Sequence, residues 1–100
     1  MNHVTTRFRC EPITSKVHRD WVKSLGCGIC RDPSADPHHV TSRGAGGGDE
    51  TVVNLCRQHH TEFHNTGRWT FQEKYGVDLT AHALQLARRS PDPKIRAAVA

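Results

Sequence analysis

Two pairs of metal-type ligands at matching spacing constrain the fold of this 100-residue chain more than any other feature. Cys27 and Cys30 form a CxxC pair, and Cys56 and His59 form a CxxH pair. Two turns of this kind can present four ligands to one tetrahedral ion, and zinc prefers thiolate and imidazole. Because structural zinc sites are closed by four protein ligands, the spacing predicts a zinc ion that holds the fold and does no chemistry.

Two other interpretations of these cysteines stay open. The two pairs could be separate buried thiol turns without a metal ion. Cys10 has no partner at the same spacing, and we interpret it as a small buried hydrophobe, as free cysteines often are. It could nevertheless replace His59 as the fourth ligand.

The length and charge of the chain limit its fold and its partners. One hundred residues make a single domain with a modest core. The net charge of +4 and a pI near 9.2 favour a polyanionic partner, nucleic acid first. The N-terminus lacks the apolar segment of a secretory signal, and no apolar run reaches the roughly 18 residues of a membrane span. We therefore expect a protein of the cell interior, where cysteines stay reduced.

The pattern of apolar, glycine and proline residues predicts a small α+β domain. Apolar residues recur at every fourth position from Ile13 to Leu25, which predicts an amphipathic helix over 14–25 that packs on the core. The other predicted elements are strands at 38–42 and 51–55, paired across a loop at 43–50, and helices at 57–65, 69–75 and 81–89, the last capped by Thr80. Residues 1–12 are expected to be extended, and 91–100 to form a tail.

The middle of the chain holds four more histidines than the zinc pairs need: His38, His39, His60 and His64. On a helix, His60 and His64 lie on one face and can bind one ion together. Neighbouring strand residues project in different directions, so one of His38 and His39 can bind the ion while the other reacts. Three imidazoles with open coordination positions are typical of a catalytic metal site, and a free imidazole can accept a proton. The alternative is that these are solvated surface histidines.

Three stretches of the sequence resemble the HNH endonucleases, in the zinc-ribbon form common in phage and prophage genes. They are Asp36-Pro-His-His-Val40, the glycine loop through Gly48-Asp49, and Asn54-Leu-Cys-Arg-Gln-His-His-Thr-Glu-Phe-His64. The resemblance implies a ββα-metal core over 26–78, with an N-terminal extension and helix at 1–25 and a C-terminal helix and tail at 79–100. It also implies hydrolysis of DNA phosphodiester bonds with one divalent cation, in the cytoplasm of a bacterium or a phage-infected cell.

The resemblance assigns roles to individual residues. His38, His60 and His64 would bind the catalytic ion, His39 would be the general base, and Asn54 would orient the base, with Asp49 or Thr51 as alternatives for that position. The structural zinc ligands would be Cys27, Cys30, Cys56 and His59. Three imidazoles suit Zn²⁺, Ni²⁺ or Mn²⁺ better than the Mg²⁺ that many relatives bind, so the catalytic ion stays open.

Basic residues near these motifs predict contacts to the DNA backbone that do not depend on sequence. Arg43, Arg57 and Arg68 are the first candidates, and the others are Arg7, Arg9, Lys16 and Arg19. Cutting both strands at once would suggest a homodimer. A non-catalytic zinc-ribbon module that binds nucleic acid is the alternative function, and a zinc-stabilised protein-interaction adaptor is a third.

Overall fold

A two-stranded antiparallel hairpin lies at the centre of the fold. The structure, a computed structural model, describes residues 12–100. Strand β1 is Asp36–His39 and strand β2 is Val52–Leu55, with His38 opposite Val53 and His39 opposite Val52. Because side chains alternate along a strand, His38 and Val53 share one face of the hairpin, and His39 and Val52 share the other. The predicted hairpin is confirmed, although β1 begins and ends earlier than expected.

Helices surround the hairpin, which confirms the α+β class. They are α1 (Lys16–Ser24), α2 (Arg57–Thr66), α3 (Arg68–Tyr75), α4 (Leu79–Arg88) and α5 (Pro93–Ala98). Gly67 separates α2 from α3 with a φ of 89°, a value that glycine adopts without strain. Within residues 12–100, no helix is long and apolar enough to cross a membrane.

The apolar core lies on both faces of the hairpin. One cluster is made by Val40, Val53, Leu55, Phe63, Phe71, Leu79 and Ala83. The second joins Val22 of α1, Val52 of β2 and Leu86 of α4. Since α4 contributes to both clusters, the segment 79–100 packs on the same core as the hairpin.

Helix α1 packs on the core as predicted, but it does so through Val22 and the half-buried Trp21, and the rest of the apolar stripe faces outward. Val17 is 56% exposed and Leu25 is 42% exposed, whereas His18 and Val22 are fully buried. Polar contacts explain the rotation of the helix. The amide of Ser15 donates to Asp49 Oδ2 at 2.7 Å, and His18 Nδ1 lies 2.8 Å from Ser90 Oγ, which turns the His18 edge inward.

The C-terminal elements also differ from the prediction. Helix α4 begins at Leu79 and is capped by Asp78, whose side chain accepts from the amide of Ala81, so Thr80 is not the cap. The expected tail contains α5, which Asp92 caps by accepting from the amide of Lys94 at 2.9 Å. Ile95 of α5 is fully buried, and its burial explains why this segment is ordered against the core.

The connection between the strands carries Asp49, whose carboxylate lies against β1. It contains two short 3₁₀ turns, Arg43–Ala45 and Asp49–Thr51. Gly47 passes so close to Thr41 that an added Cβ would lie 1.9 Å from the Thr41 carbonyl oxygen, which only glycine avoids. The amide of Asp49 donates to the Ile13 carbonyl at 2.8 Å, and this contact holds the second turn against the start of the described chain.

Candidate metal centres and the histidine–aspartate pair

Four predicted zinc ligands come together at one point, and we call Cys27, Cys30, Cys56 and His59 the quartet. Their ligand atoms all lie within 4.8 Å of one another. The first two residues belong to the turn before β1, and the last two open α2. Cys10, the alternative fourth ligand, lies outside the described residues.

The distances within the quartet fit a tetrahedral zinc ion. Cys30 Sγ lies 3.8 Å from Cys56 Sγ, and His59 Nδ1 lies 3.2 Å from Cys56 Sγ and 3.6 Å from Cys27 Sγ. Zn–S bonds of about 2.3 Å at the tetrahedral angle separate two sulfurs by roughly 3.8 Å. The four residues could therefore hold a structural zinc.

The surroundings of Cys27 favour the thiolate that a metal ion needs. Burial alone would raise the pKa of the Cys27 thiol. Hydrogen bonds from the backbone amides of Cys30, Cys56 and Ile29, and from His59, outweigh burial and lower the pKa to about 6. A sulfur that is already deprotonated near neutral pH binds zinc without first losing a proton.

A second cluster contains three of the predicted catalytic ligands, and we call His38, His60 and His64 the trio. Their ligand atoms also lie within 4.8 Å of one another. His60 Nε2 lies 3.1 Å from His64 Nε2, which agrees with the roughly 3.0–3.4 Å expected between two nitrogens on one zinc-sized ion. His38 reaches this point from β1, and the other two reach it from α2.

The buried nitrogen of His38 provides an independent test of metal fit. His38 is 2% exposed, and its Nε2 has no hydrogen-bond partner among the described residues. Burial and the neighbouring His60, His64 and His39 lower the pKa of His38 to about 3, so the ring stays neutral. A buried imidazole nitrogen that keeps its lone pair and has no donor nearby is suited to bind a cation.

The trio is more open than the quartet. His64 is exposed and His60 is half-buried, whereas three of the four quartet residues are buried and only Cys30 is exposed. Three protein ligands with an exposed side leave coordination positions for water or substrate, which is the difference between a catalytic and a structural site.

Asp36 lies behind the trio, within ion-pair distance of His60 but without a hydrogen bond to it. Its Oδ2 is 3.4 Å from His60 Nδ1, on the opposite side of the ring from the Nε2 that faces His64. Arg57 Nη2 lies 3.3 Å from the same carboxylate oxygen. A carboxylate in this position fixes the histidine tautomer and raises the basicity of the ligand nitrogen. The sequence interpretation missed this role of Asp36.

His39, the predicted base, lies beside a buried carboxylate. Its Nε2 is 2.8 Å from Asp49 Oδ1, and Asp49 is fully buried. Asp49 also accepts from the Ser15 amide and the Arg19 guanidinium. Burial alone would raise the pKa of Asp49, but the hydrogen bonds from Ser15, His39 and Arg19 outweigh it and lower the pKa. The carboxylate is therefore ionised and holds one ring nitrogen of His39.

The side chain of Asn54 hydrogen-bonds to Gly26 and His82, and not to the site histidines. Its Nδ2 donates to the Gly26 carbonyl at 2.7 Å, and its Oδ1 lies 2.7 Å from His82 Nε2. In β2 it is on the opposite face from Val53, which neighbours His38. Of the residues considered for orienting His39, Asp49 makes the contact, and Thr51 instead donates to the Gly48 carbonyl. His82, the partner of Asn54, was not singled out from the sequence.

The basic residues predicted to contact DNA have different surroundings. Arg57 is largely exposed beside Asp36, and Arg68 Nη2 donates to the Val40 carbonyl at 3.0 Å. Arg19 is committed to the buried Asp49, and Lys16 pairs with Asp20 on the surface of α1. Arg7 and Arg9, together with the side chain of Arg43, lie outside the described residues.

Comparison with known proteins places this chain in a family. Residues 6–90 match the family described as "Protein of unknown function (DUF968)". The chain is 44% identical over 64 residues to "Uncharacterized protein YdfU" of Escherichia coli (strain K12), an alignment that covers 59% of this chain and 18% of the relative. The chain therefore spans less than a fifth of that relative's length. No solved structure matches it. Because the family match covers most of its length, the chain belongs to the DUF968 family.

Proposed function

We propose that the chain is a metal-dependent endonuclease of the HNH type, which hydrolyses DNA phosphodiester bonds. The trio is the observation that carries this proposal. Three imidazoles converge on one point with an open side, and a fourth imidazole next to them in the chain is held by a buried carboxylate. A metal ion needed only for folding would be closed by four ligands, as in the quartet. The proposal includes zinc as the occupant of the quartet.

The trio would bind the divalent cation and fix its position relative to β1 and α2. The bound cation would supply positive charge that stabilises the phosphate oxygens as negative charge develops on them. Burial is the largest cause that lowers the pKa of His38 and of His60, and this favours the neutral rings that can bind a cation. Asp36 keeps the Nε2 lone pair of His60 directed at the shared centre.

His39 is the general base in this proposal. When Nε2 carries the hydrogen that is donated to Asp49, Nδ1 keeps the lone pair and can remove a proton from the attacking water. The ionised Asp49 then stabilises the imidazolium that forms. Attack by the water on phosphorus breaks the bond to the 3′ oxygen. His38 and His39 are adjacent in β1, about 3.8 Å apart at Cα, and their side chains leave opposite faces of the strand, so the attacking water would have to lie at the strand edge between them.

Cleavage of supercoiled plasmid DNA tests this function directly. The wild-type chain should nick the plasmid in at least one of Mg²⁺, Mn²⁺, Ni²⁺ and Zn²⁺. His60→Ala should lose both the nicking and the ion of the trio, while the zinc of the quartet stays bound. No cleavage with any of the four ions would contradict the proposal.

The metal content of the purified chain separates this function from the non-catalytic module. A nuclease of this kind holds one tightly bound zinc and a second ion that exchanges. A module that only binds nucleic acid needs the quartet alone, so a single ion per chain, with no second site in a titration, would favour the module.

A further inference from the structure

Trp69 is the most exposed large apolar side chain of residues 12–100. It is 76% exposed and lies in the first turn of α3. A tryptophan in a core buries roughly 150–250 Å² of surface and contributes strongly to packing. The largely exposed ring of Trp69 contributes little packing to this fold. Tryptophan is enriched at positions where proteins bind partners. The exposed ring therefore needs an explanation other than packing.

Arg68 connects this ring to the strand that carries the site histidines. Its guanidinium carbon lies 5.7 Å from the centroid of the Trp69 ring. Its Nη2 donates to the carbonyl of Val40, which follows His39 at the end of β1. A positive charge is thus fixed between the exposed ring and the candidate active site.

The ring borders two open clefts. One, of about 390 Å³, is lined by residues that include Arg68 and Gln72. The other, of about 610 Å³, is lined by residues that include Thr70 and Glu73. A flat group can therefore lie against the indole without displacing protein atoms. Asp78 lines both clefts, so they differ in Arg68 on one side and Glu73 on the other. Because Glu73 would repel phosphates and Arg68 would attract them, a nucleic-acid backbone should follow the Arg68 side of the ring.

We infer that Trp69 is a stacking platform for an unpaired base of the nucleic-acid substrate, and that Arg68 contacts the adjoining phosphate. The inference rests on the proposed nuclease function, because a strand bound at the trio passes the end of β1, where Arg68 lies. Inside a duplex, each base is already covered on both faces by its neighbours. An indole on a helix surface can therefore stack only on a base that is single-stranded, frayed or flipped out.

A second copy of the chain is the competing occupant of this surface. In a two-fold interface the same patch meets itself, so Arg68 would face Arg68 of the other copy. Like charges in contact destabilise such an interface. A phosphate beside Arg68 would neutralise its charge, and a base stacked on Trp69 would cover the exposed ring.

Binding measurements on the full chain test the inference. The ligands are a single-stranded oligothymidylate of about 16 nucleotides and a duplex of the same length, both with phosphorothioate linkages that resist cleavage. Trp69→Ala should weaken single-strand binding by roughly 5- to 150-fold and should change duplex binding by less than about 2-fold. Trp69→Phe should lose less. Leu84→Ala, which removes another exposed apolar side chain, should change neither affinity.

Fluorescence gives a second measurement that does not depend on affinity. The chain has two tryptophans, so Trp21→Phe leaves Trp69 as the only one. Stacking on thymine should quench its emission with the single strand and not with the duplex. Equal losses of affinity on both ligands, or no loss, would overturn the inference. So would a change in oligomeric state of Trp69→Ala by sedimentation with unchanged affinity.

The plasmid assay on the same preparations separates this inference from the nuclease proposal. If the wild-type chain nicks plasmid and Trp69→Ala binds single strands normally, the stacking proposal is wrong and the nuclease proposal is supported. If no ion supports nicking and single-strand binding still requires Trp69, the nuclease proposal is wrong and the stacking proposal is supported.

Discussion

Asp36 lies 3.4 Å from Nδ1 of His60, where a carboxylate can decide which ring nitrogen is free to bind. Its position at His60 Nδ1 leaves Nε2 for the shared centre of the trio. Asp36→Asn removes the charge and keeps the shape. Because such partners orient the ligand and raise its basicity, we expect the affinity of the trio for Mn²⁺ to fall by about 10- to 100-fold.

Isothermal titration of the zinc-loaded protein with Mn²⁺ measures this affinity. Glu73→Gln is the matched control, since it removes an exposed carboxylate on α3 and should leave Mn²⁺ binding unchanged. An Asp36→Asn variant that binds Mn²⁺ as tightly as the wild type would show that Asp36 does not orient His60.

The sequence predicted the metal-type ligands better than the residues that support them. Spacing alone placed Cys27 near Cys30 and His60 near His64, because a knuckle turn and a helix fix these distances locally. For the partner of His39, the sequence offered Asp49 only as an alternative to Asn54, beside Thr51, and did not decide among them. Asp49 reaches His39 through a turn whose position depends on a contact to Ile13, and no local pattern records that contact.

At the scale of the elements, a buried histidine joins α1 to the segment before α5. His18 is fully buried and lies 2.8 Å from Ser90 Oγ. Burial lowers the pKa of His18, and the negative charges of Asp49 and Asp92 partly oppose this effect. The folded state therefore holds His18 neutral at pH values where the unfolded chain binds a proton.

This contact makes the free energy of unfolding depend on pH. Because the pKa of His18 is lowered in the folded state, its contribution is complete above the unfolded pKa of about 6.5 and is lost as the pH falls toward the folded value. Urea unfolding at several pH values should show a smaller loss of stability in acid for His18→Gln than for the wild type. Parallel pH profiles for the two proteins would contradict this account.

Two elements show which signals in the sequence were weighed wrongly. The apolar period of α1 is real, but the buried polar contacts of Ser15 and His18 turn the helix. Trp21 of the predicted stripe therefore packs on the core, whereas Val17 and Leu25 are exposed. For α5, Asp92 followed by Pro93 is a helix-start signal, but the segment behind it is so short that its composition predicts a tail. Its stability comes from burial of Ile95, which depends on the rest of the fold.

For the whole molecule, the quartet connects the turn before β1 to the start of α2. A small core gains much of its stability from such a connection, because a structural zinc contributes binding energy to folding. Removing the zinc with a strong chelator should lower Tm by more than roughly 10 °C. Thermal melting followed by circular dichroism measures this change.

Two cysteine variants make the zinc prediction specific. Cys56→Ser should lose zinc and melt like the chelated protein. Cys10→Ser should keep one zinc ion and the wild-type Tm, because His59 completes the quartet. Loss of zinc from Cys10→Ser would show that Cys10 is a ligand.

The central claim is that the trio and His39 divide the work of phosphodiester hydrolysis between binding a cation and moving a proton. Parallel measurement of plasmid nicking and metal content in His39→Ala tests it most directly. We expect nicking to fall by roughly 10²- to 10⁴-fold, because a general base contributes that much, while the ions of the quartet and the trio both remain bound. Wild-type nicking by His39→Ala with a full complement of metal would contradict the account.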